Sequence, residues 1–400
     1  MKIWILTSSF PANPQDARAA AGLFVADFAV ALAEAGHEIT VVTPDKQPGD
    51  KQDPPGVRVR WFPWRGGRKT LSSLKPYLPG DLLATVSLFR RGARALDDLY
   101  QRAAPDHVLA MWAAPSGILA TGLKRRRDVP VTTWCLGSDV WTLGRIPILR
   151  GAVKRALRAS DLVFADGVRL ARDAEALAGR PCEFMPSSRR LRRALARSLE
   201  LPGAAPRFLF IGRYAAVKGV DVLLEAMAEF ARREASGHLI LLGGGPLEAQ
   251  IRQRAARPDL RGRVTVGGYA DEAVAVSHLT ACDCVVIPSR IESIPVIFSD
   301  ALQMGLPVIA SDVGDMGALL REHAAGLVVP PEDSPALCAA MLQMAAQDRS
   351  RYTSQIQALA AQFDVTKVAA AWIKRVQSRS SPGNSPRPRG VGGSSSASPS

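Results

Sequence analysis

The stretch CDCVVIPSRIESIPVIFSDALQMGLPVIAS fills residues 282–311. It opens on a short apolar run, CDCVVIPS, and closes on another, LPVIAS. Both have the length and β-branched content of buried strands. Between them a helix is expected from Pro295, which suits a first helical position because it has no N–H to leave unpaired. Strand, helix and strand in that order make a βαβ unit, and βαβ units build parallel sheets. Two acids, Glu292 and Asp300, interrupt the unit. Ligands of parallel sheets bind in the crevice at the carboxyl ends of the strands. The loop 290–293 is such an end, so a carboxylate there has a use other than burial.

The same alternation runs outward in both directions. Earlier strand candidates are KIWIL (from Lys2), EITVVTP (from Glu38), VRVRWF (from Val57), DHVLAMW (from Asp106), PVTTWC (from Pro130) and DLVFAD (from Asp161). A second series reads RFLFIG (from Arg207), HLILLGG (from His238), GRVTVGG (from Gly262), then the opening stretch and GLVVPP (from Gly326). Helical patterns separate them; in GLFVADFAVALAEAG, Leu23, Phe24, Phe28, Ala31 and Leu32 recur near a period of 3.6 and Gly36 stops the run. The expected fold class is α/β: two doubly wound, Rossmann-like domains facing a cleft. The first covers residues 1–186, a basic linker 187–205, the second domain 206–362, and a last helix 363–377 with the option of returning to the first domain. Residues 378–400 are Ser/Pro/Gly/Arg-rich and are expected to be disordered.

The totals agree with two soluble domains. The chain has 400 residues, 47% hydrophobic and 22% charged, more than one ordinary core accommodates. Its 51 Lys+Arg against 37 Asp+Glu give a net charge of +14, which suits acidic metabolites, an anionic membrane or nucleic acid. No aromatic-interleaved platform or helix-turn-helix pattern accompanies the charge, so nucleic acid is not an expected partner. Five cysteines without framework spacing read as reduced, buried thiols of a cytoplasmic protein. MKIWILTSSF reads as a first strand and not as a signal peptide, and no apolar run has the length of a membrane span.

Candidate site residues sit where strands end. After FLFI, Gly212 permits a turn, and Arg213 and Lys218 flank a short loop before a helix; a planar fork and a point charge suit a diphosphate. Ser293, Ile294, Pro295 and Val296 form the expected helix start, whose free N–H groups favour an anion. Asp300, eight residues after Glu292, would sit on the helix that starts at Pro295, about 8 Å along its axis at 1.5 Å per residue. Gly243-Gly244-Gly245-Pro246 fails the dinucleotide fingerprint, and there is no Walker loop. No Asp-x-Asp run lies in a suitable loop, and Asp97-Asp98 falls in a helical pattern, so the expected metal set is none.

In order, GRYAAVKGVDVLLEA, LLGGGPLEAQI, VTVGGYADEAV and ESIPVIFSDALQMGLPVIASDVGD resemble the carboxyl-terminal domain of the retaining glycosyltransferases of family 4, which have the GT-B fold. GHEITVVTP and LGSDVW (residues 136–141) are similar to the same family, and the resemblance spans about residues 1–375. It implies a hexosyltransferase that takes a UDP- or GDP-sugar as co-substrate, needs no cofactor, and acts on a glycan or lipid-linked acceptor in polysaccharide biosynthesis. It implies that Arg213 and Lys218 hold the donor diphosphate and that Glu292 meets the donor sugar, the three forming the catalytic set. Asp300 would take the ribose hydroxyls from an open cleft, and Gly268 and Tyr269 would lie near the base. Gly22 would sit in a glycine-containing loop facing the phosphates, and Ser138 and Asp139 on the acceptor side. The pattern departs from the family at Asp300 (usually Glu), Leu136 (often His), Pro186-Ser187-Ser188 (usually Pro-Asn-Gly) and Gly244 (commonly an acid). An epimerase of the same fold and a non-catalytic nucleotide-sugar-binding protein are the alternatives; the first would need acid/base groups that the first domain does not display.

The cleft motifs hold no paired acid and base of the glycosidase kind. Family members are thought to transfer by front-face attack, with the leaving phosphate accepting the proton. Finally, Lys124-Arg125-Arg126-Arg127 and Arg145, Arg150, Lys154, Arg155 and Arg158 accompany Ile146, Ile148, Leu149, Val153 and Leu157. That composition suits an amphipathic helix lying on an anionic inner membrane face, so peripheral membrane contact is a further expectation.

Overall fold

The computed structural model describes residues 1–380 except 15, 17–19, 47–48, 68, 70–73, 76 and 234. Most of the expected tail, 381–400, lies outside the described residues. Two parallel sheets form. The first takes β1 (Lys2–Leu6), β2 (Glu38–Asp45), β3 (Val57–Pro63), β4 (His107–Met111), β5 (Val131–Cys135), β6 (Leu162–Ala165) and β7 (Glu183–Phe184), in the order β3-β2-β1-β4-β5-β6-β7. The second takes β8 (Arg207–Ile211), β9 (His238–Leu242), β10 (Val264–Val266), β11 (Cys284–Ile287), β12 (Val308–Ser311) and β13 (Gly326–Val329), in the order β10-β9-β8-β11-β12-β13. Every pairing is parallel. Inner strands such as β4, β5 and β9 are buried at every position, because helices cover both faces. The strand order reverses between β1 and β4 and between β8 and β11, the switch points where such sheets bind ligands.

The first domain's helices are α1 (Ala20–Glu34), α2 (Pro79–Arg102), α3 (Ile118–Arg127), α4 (Pro147–Ala159) and α5 (Val168–Ala178). The second has α6 (Val220–Arg232), α7 (Glu248–Ala255), α8 (Glu272–Ala281), α9 (Val296–Gln303), α10 (Met316–His323), α11 (Ser334–Ala346) and α12 (Thr353–Ala360), and α13 (Val365–Ser380) closes the chain. Residues 378–380 are helical, so α13 outruns the boundary at which disorder was expected. Its apolar side belongs to the first domain: Trp372 is fully buried, edge-on to Phe28 at 6.1 Å and to His107 at 5.5 Å. The chain therefore crosses between the domains twice.

The first crossing differs from an exposed polar spacer. Ser187, Ser188 and Arg189 are buried, because carboxylates from both sides meet the basic run. Arg190 pairs with Glu34 at 2.8 Å and its N–H donates to Asp27 at 3.0 Å. Arg192 pairs with Glu272 across the junction, and Gln303 donates to the Arg189 carbonyl at 2.8 Å.

Candidate active site

Two loops of the second domain build the site. After β8 the chain turns through Gly212 and Arg213 into a short 3-10 turn, Ala216–Lys218, that ends on Gly219 at φ +65°. A Cβ at Gly219 would overlap the carbonyl oxygen of Pro288, just past β11. Only glycine combines that left-handed backbone with so close an approach. Arg290 then clasps the loops. Its guanidinium donates to the Ala216 carbonyl at 2.6 Å, to Asp221 at 2.7 and 2.9 Å and to Glu332 at 2.8 Å, and its N–H donates to Val217 at 2.8 Å. These bonds hold the Asp221 carboxyl below its ordinary value and raise the Arg290 pKa further.

That clasp brings together two residues expected to act together. The Lys218 ammonium forms an ion pair with the Glu292 carboxylate, and both side chains remain partly exposed. Arg213, in the same loop as Lys218, is exposed and, among the described residues, holds no carboxylate. Arg290, Asp221 and Glu332 carried no motif; they lie 42 to 69 residues apart in their pairings, and only the folded chain makes them neighbours.

The helix start is displaced by one residue. Pro295 is the N-cap of α9, with φ −72° and ψ 147°. Ile294 is buried in the second domain's core, so only its backbone remains for a ligand. Val296 packs against the first domain's core. The Ser293 hydroxyl sits where a Cβ on Gly167 would fall, and the Arg169 N–H donates to Asp315 at 3.2 Å. The start of α5 thus packs against the loops before α9 and α10.

Tyr269 is half exposed, and its ring occupies the space a side chain on Gly244 would need. Glycine in place of the family's acid lets the ring lie down on the turn after β9. Gly268 is exposed beside it, with open space around a notional Cβ.

Four expectations are corrected by the geometry. Asp300 does not line an open cleft. Its side chain is 6% exposed and faces Arg189 of the linker at 3.7 Å. Burial pushes its carboxyl up to about 7 against the pull of Arg189, with Asp27 and Glu272 adding to the rise. Its Oδ1 and the Nε of Arg189 are buried without partners. The shorter Asp side chain leaves the pair loose. Gly22 is not in a loop; it lies in α1, where a Cβ would come within 2.6 Å of the Ser9 carbonyl oxygen, so its smallness serves packing. Asp139 is fully buried and not an acceptor contact. It accepts from the N–H groups of Ala113 at 2.7 Å and of Leu136 and Val140 at 3.2 Å. Burial pushes it up to about 6 while those N–H groups hold it down. Only Ser138 of that pair is exposed. The fourth concerns α4: Val153, Ala156 and Leu157 are buried in the first domain's core. That part of its apolar side is spent on packing and is not free for a membrane, while Ile146, at its start, is exposed.

Two sequence-family descriptions match in tandem: "Glycosyl transferase 4-like domain" over residues 20–187 and "Glycosyl transferases group 1" over residues 205–347. The chain belongs to the group 1 glycosyltransferases. It is similar to the putative teichuronic acid biosynthesis glycosyltransferase TuaC of Bacillus subtilis, 26% identical over 85% of this chain and 88% of that one. It is also similar to alpha-D-kanosaminyltransferase of Streptomyces kanamyceticus, 32% identical over 34% of this chain and 35% of that protein. The solved structure of Anabaena HepE in complex with UDP-glucose superposes with a TM-score of 0.69 at 19% identity, covering 94% of this chain and all of the other. The fold of this glycosyltransferase is thus GT-B.

Within the glycosyltransferase one acid escaped the sequence reading. Asp166, at the carboxyl end of β6, is buried between Ser187, at 3.4 Å, and Ser293. Burial raises it well above its ordinary value, and Asp139 and Glu292 raise it further. It is a buried acid where the first domain, the linker and the loop before α9 meet. No motif signals it, because its environment comes from three separate segments.

Proposed function

We propose that the glycosyltransferase moves a hexose from a UDP- or GDP-sugar to a glycan or lipid-linked acceptor in the cytoplasm, with retention of configuration. The observation that carries this reading is the Lys218–Glu292 ion pair, which joins the loop after β8 to the loop between β11 and α9; exposed Arg213 lies in the first of these loops. An incoming diphosphate competes for Lys218, joins Arg213, and meets the free N–H groups of the helix start. Glu292, released, accepts from the donor sugar's hydroxyls. A solved neighbour of the same fold holds UDP-glucose, which supports a nucleotide-sugar donor.

In the transfer, the bond from the anomeric carbon to the donor phosphate oxygen breaks. A bond to the acceptor oxygen forms on the same face, and the acceptor's proton passes to the leaving phosphate. The protein contributes positioning and preorganised positive charge at Arg213, Lys218 and the helix start.

A thermal-shift panel of UDP, GDP, ADP and their sugars tests the donor, since a ligand of the folded state raises its melting temperature. NMR of the product's anomeric proton then tests retention. A shift with one nucleotide and an axial-for-axial product is expected. Inverted product removes the front-face route; an epimerised donor, or binding without any product, removes the transfer.

A further inference from the structure

We propose that the first helix turns of α2 form a membrane-docking surface for anionic lipid, placed at the lip of the cleft. Among the described residues, five of the twelve exposed large hydrophobic ones fall within ten positions: Tyr77 (76% exposed), Leu78, Leu82, Leu83 and Val86. Single exposed apolar residues are ordinary, but a contiguous group marks a contact surface. α2 packs inward through Ala84, Leu88, Gly92 and Leu96. Leu82, Val86, Arg90 and Arg94 recur every four residues along the opposite side and are exposed, so the apolar turns pass directly into a basic stripe on one face.

The charges select the occupant. Exposed Lys69 and Lys75 flank the apolar turns. The acid within those turns, Asp81, is buried, pairing with Lys69 at 2.5 Å and accepting from the Lys75 N–H at 2.9 Å. The next exposed acid on the helix is Asp98, about 18 Å beyond Val86 at 1.5 Å per residue. Apolar side chains rimmed by cations and free of exposed acid suit the boundary between acyl chains and anionic headgroups.

Position gives the surface a purpose. The N–H of Arg65, two residues past β3, donates to Ser87 at 3.1 Å. Ser87 is therefore level with the carboxyl edge of the sheet, and residues 77–86 project past it on the side where the cleft lies. β3 is the sheet edge farthest from β7, after which the linker leaves. Docking there sets the open lip of the cleft against the bilayer, where a lipid-linked acceptor would present its headgroup. This purpose rests on the acceptor proposed above; the docking itself does not.

The test is flotation of the full chain with phosphatidylcholine vesicles, with and without phosphatidylglycerol, at low and high salt. Wild type is expected to float only with phosphatidylglycerol and low salt. Leu82→Ser with Leu83→Ser should lower partitioning about 10-fold or more, without touching the core. Arg90→Glu with Arg94→Glu should lower it at least about 30-fold. Arg150→Glu with Arg155→Glu, on α4, should float as wild type does. All three variants should keep the wild-type melting temperature and the shift given by whichever nucleotide of the panel stabilises wild type. No flotation of wild type overturns the proposal, as does loss confined to the α4 variant. Light scattering that finds a dimer split by the Leu82/Leu83 changes assigns the face to a second copy and overturns it too. Flotation intact without a shift by any of UDP, GDP, ADP or their sugars instead removes the glycosyl-donor reading and leaves the docking surface standing.

Discussion

Replacing Gly219 by alanine tests how the site is assembled, because two costs meet there. The first is conformational: φ is +65°, and an L-residue in the left-handed region costs about 1–2 kcal/mol. The second is steric: the new methyl would overlap the Pro288 carbonyl oxygen, and forcing extra volume into a packed position costs about 1–3 kcal/mol. Together they amount to about 2–5 kcal/mol, a fall of about 4–20 °C in melting temperature for a domain of this size. Two other glycines separate the terms. Gly305, at φ +79° with open space around its notional Cβ, carries only the first cost, about 2–8 °C by the same conversion. Gly268, with open space and no left-handed backbone, carries neither, so its change should stay within about 2 °C. Calorimetry of Gly219→Ala, Gly305→Ala and Gly268→Ala should rank them in that order. Any relief of the overlap moves Lys218 away from Glu292, so Gly219→Ala alone of the first two should also lose the UDP-induced shift. Equal melting of the Gly219 and Gly305 variants would refute the close approach of the two loops as the feature that builds the site.

Lys218→Ala and Arg213→Ala should each lower turnover by on the order of 100-fold or more, since each leaves charge on the departing diphosphate uncompensated; wild-type steady-state rates in both would end the phosphate assignment. Glu292→Gln should lower turnover with the fold intact, because the side chain is partly exposed and its bond is to Lys218; a collapse of the melting temperature would make the residue structural. Asp300→Asn has a pH signature. The carboxyl is raised from 3.8 to about 7 in the fold, so its stabilisation is complete below about pH 4 and is lost as pH rises through about 7. The melting temperature of the Asn variant should therefore gain on wild type across that window, and parallel curves would contradict a raised pKa at buried Asp300. EDTA should leave transfer largely intact; activity abolished by chelator and restored by Mg²⁺ or Mn²⁺ would show that a metal carries part of the diphosphate charge.

Local pattern determined a great deal. Strand length, β-branching and the helical period between strands specify parallel α/β architecture, because each depends on neighbours within a few residues. That Lys218 and Glu292 fall in loops after strands is legible for the same reason, and the fold pairs them. The tertiary structure decided what separation along the chain conceals. Whether a carboxylate is open or buried depends on which remote segment arrives beside it. Glu292 met Lys218 because Gly219 and Pro288 approach closely, and stayed partly exposed. Asp300 met Arg189, 111 positions earlier, and was buried. Asp139 had the motif of a site residue and became the anchor of three backbone N–H groups. Two amphipathic helices show the same limit. The composition of α4 suggested a free apolar face, yet the sheet took that face, while α2, whose apolar start carried no signal of its own, was left uncovered at the edge of the sheet. Periodicity says that a helix has an apolar side, and only packing says what that side meets.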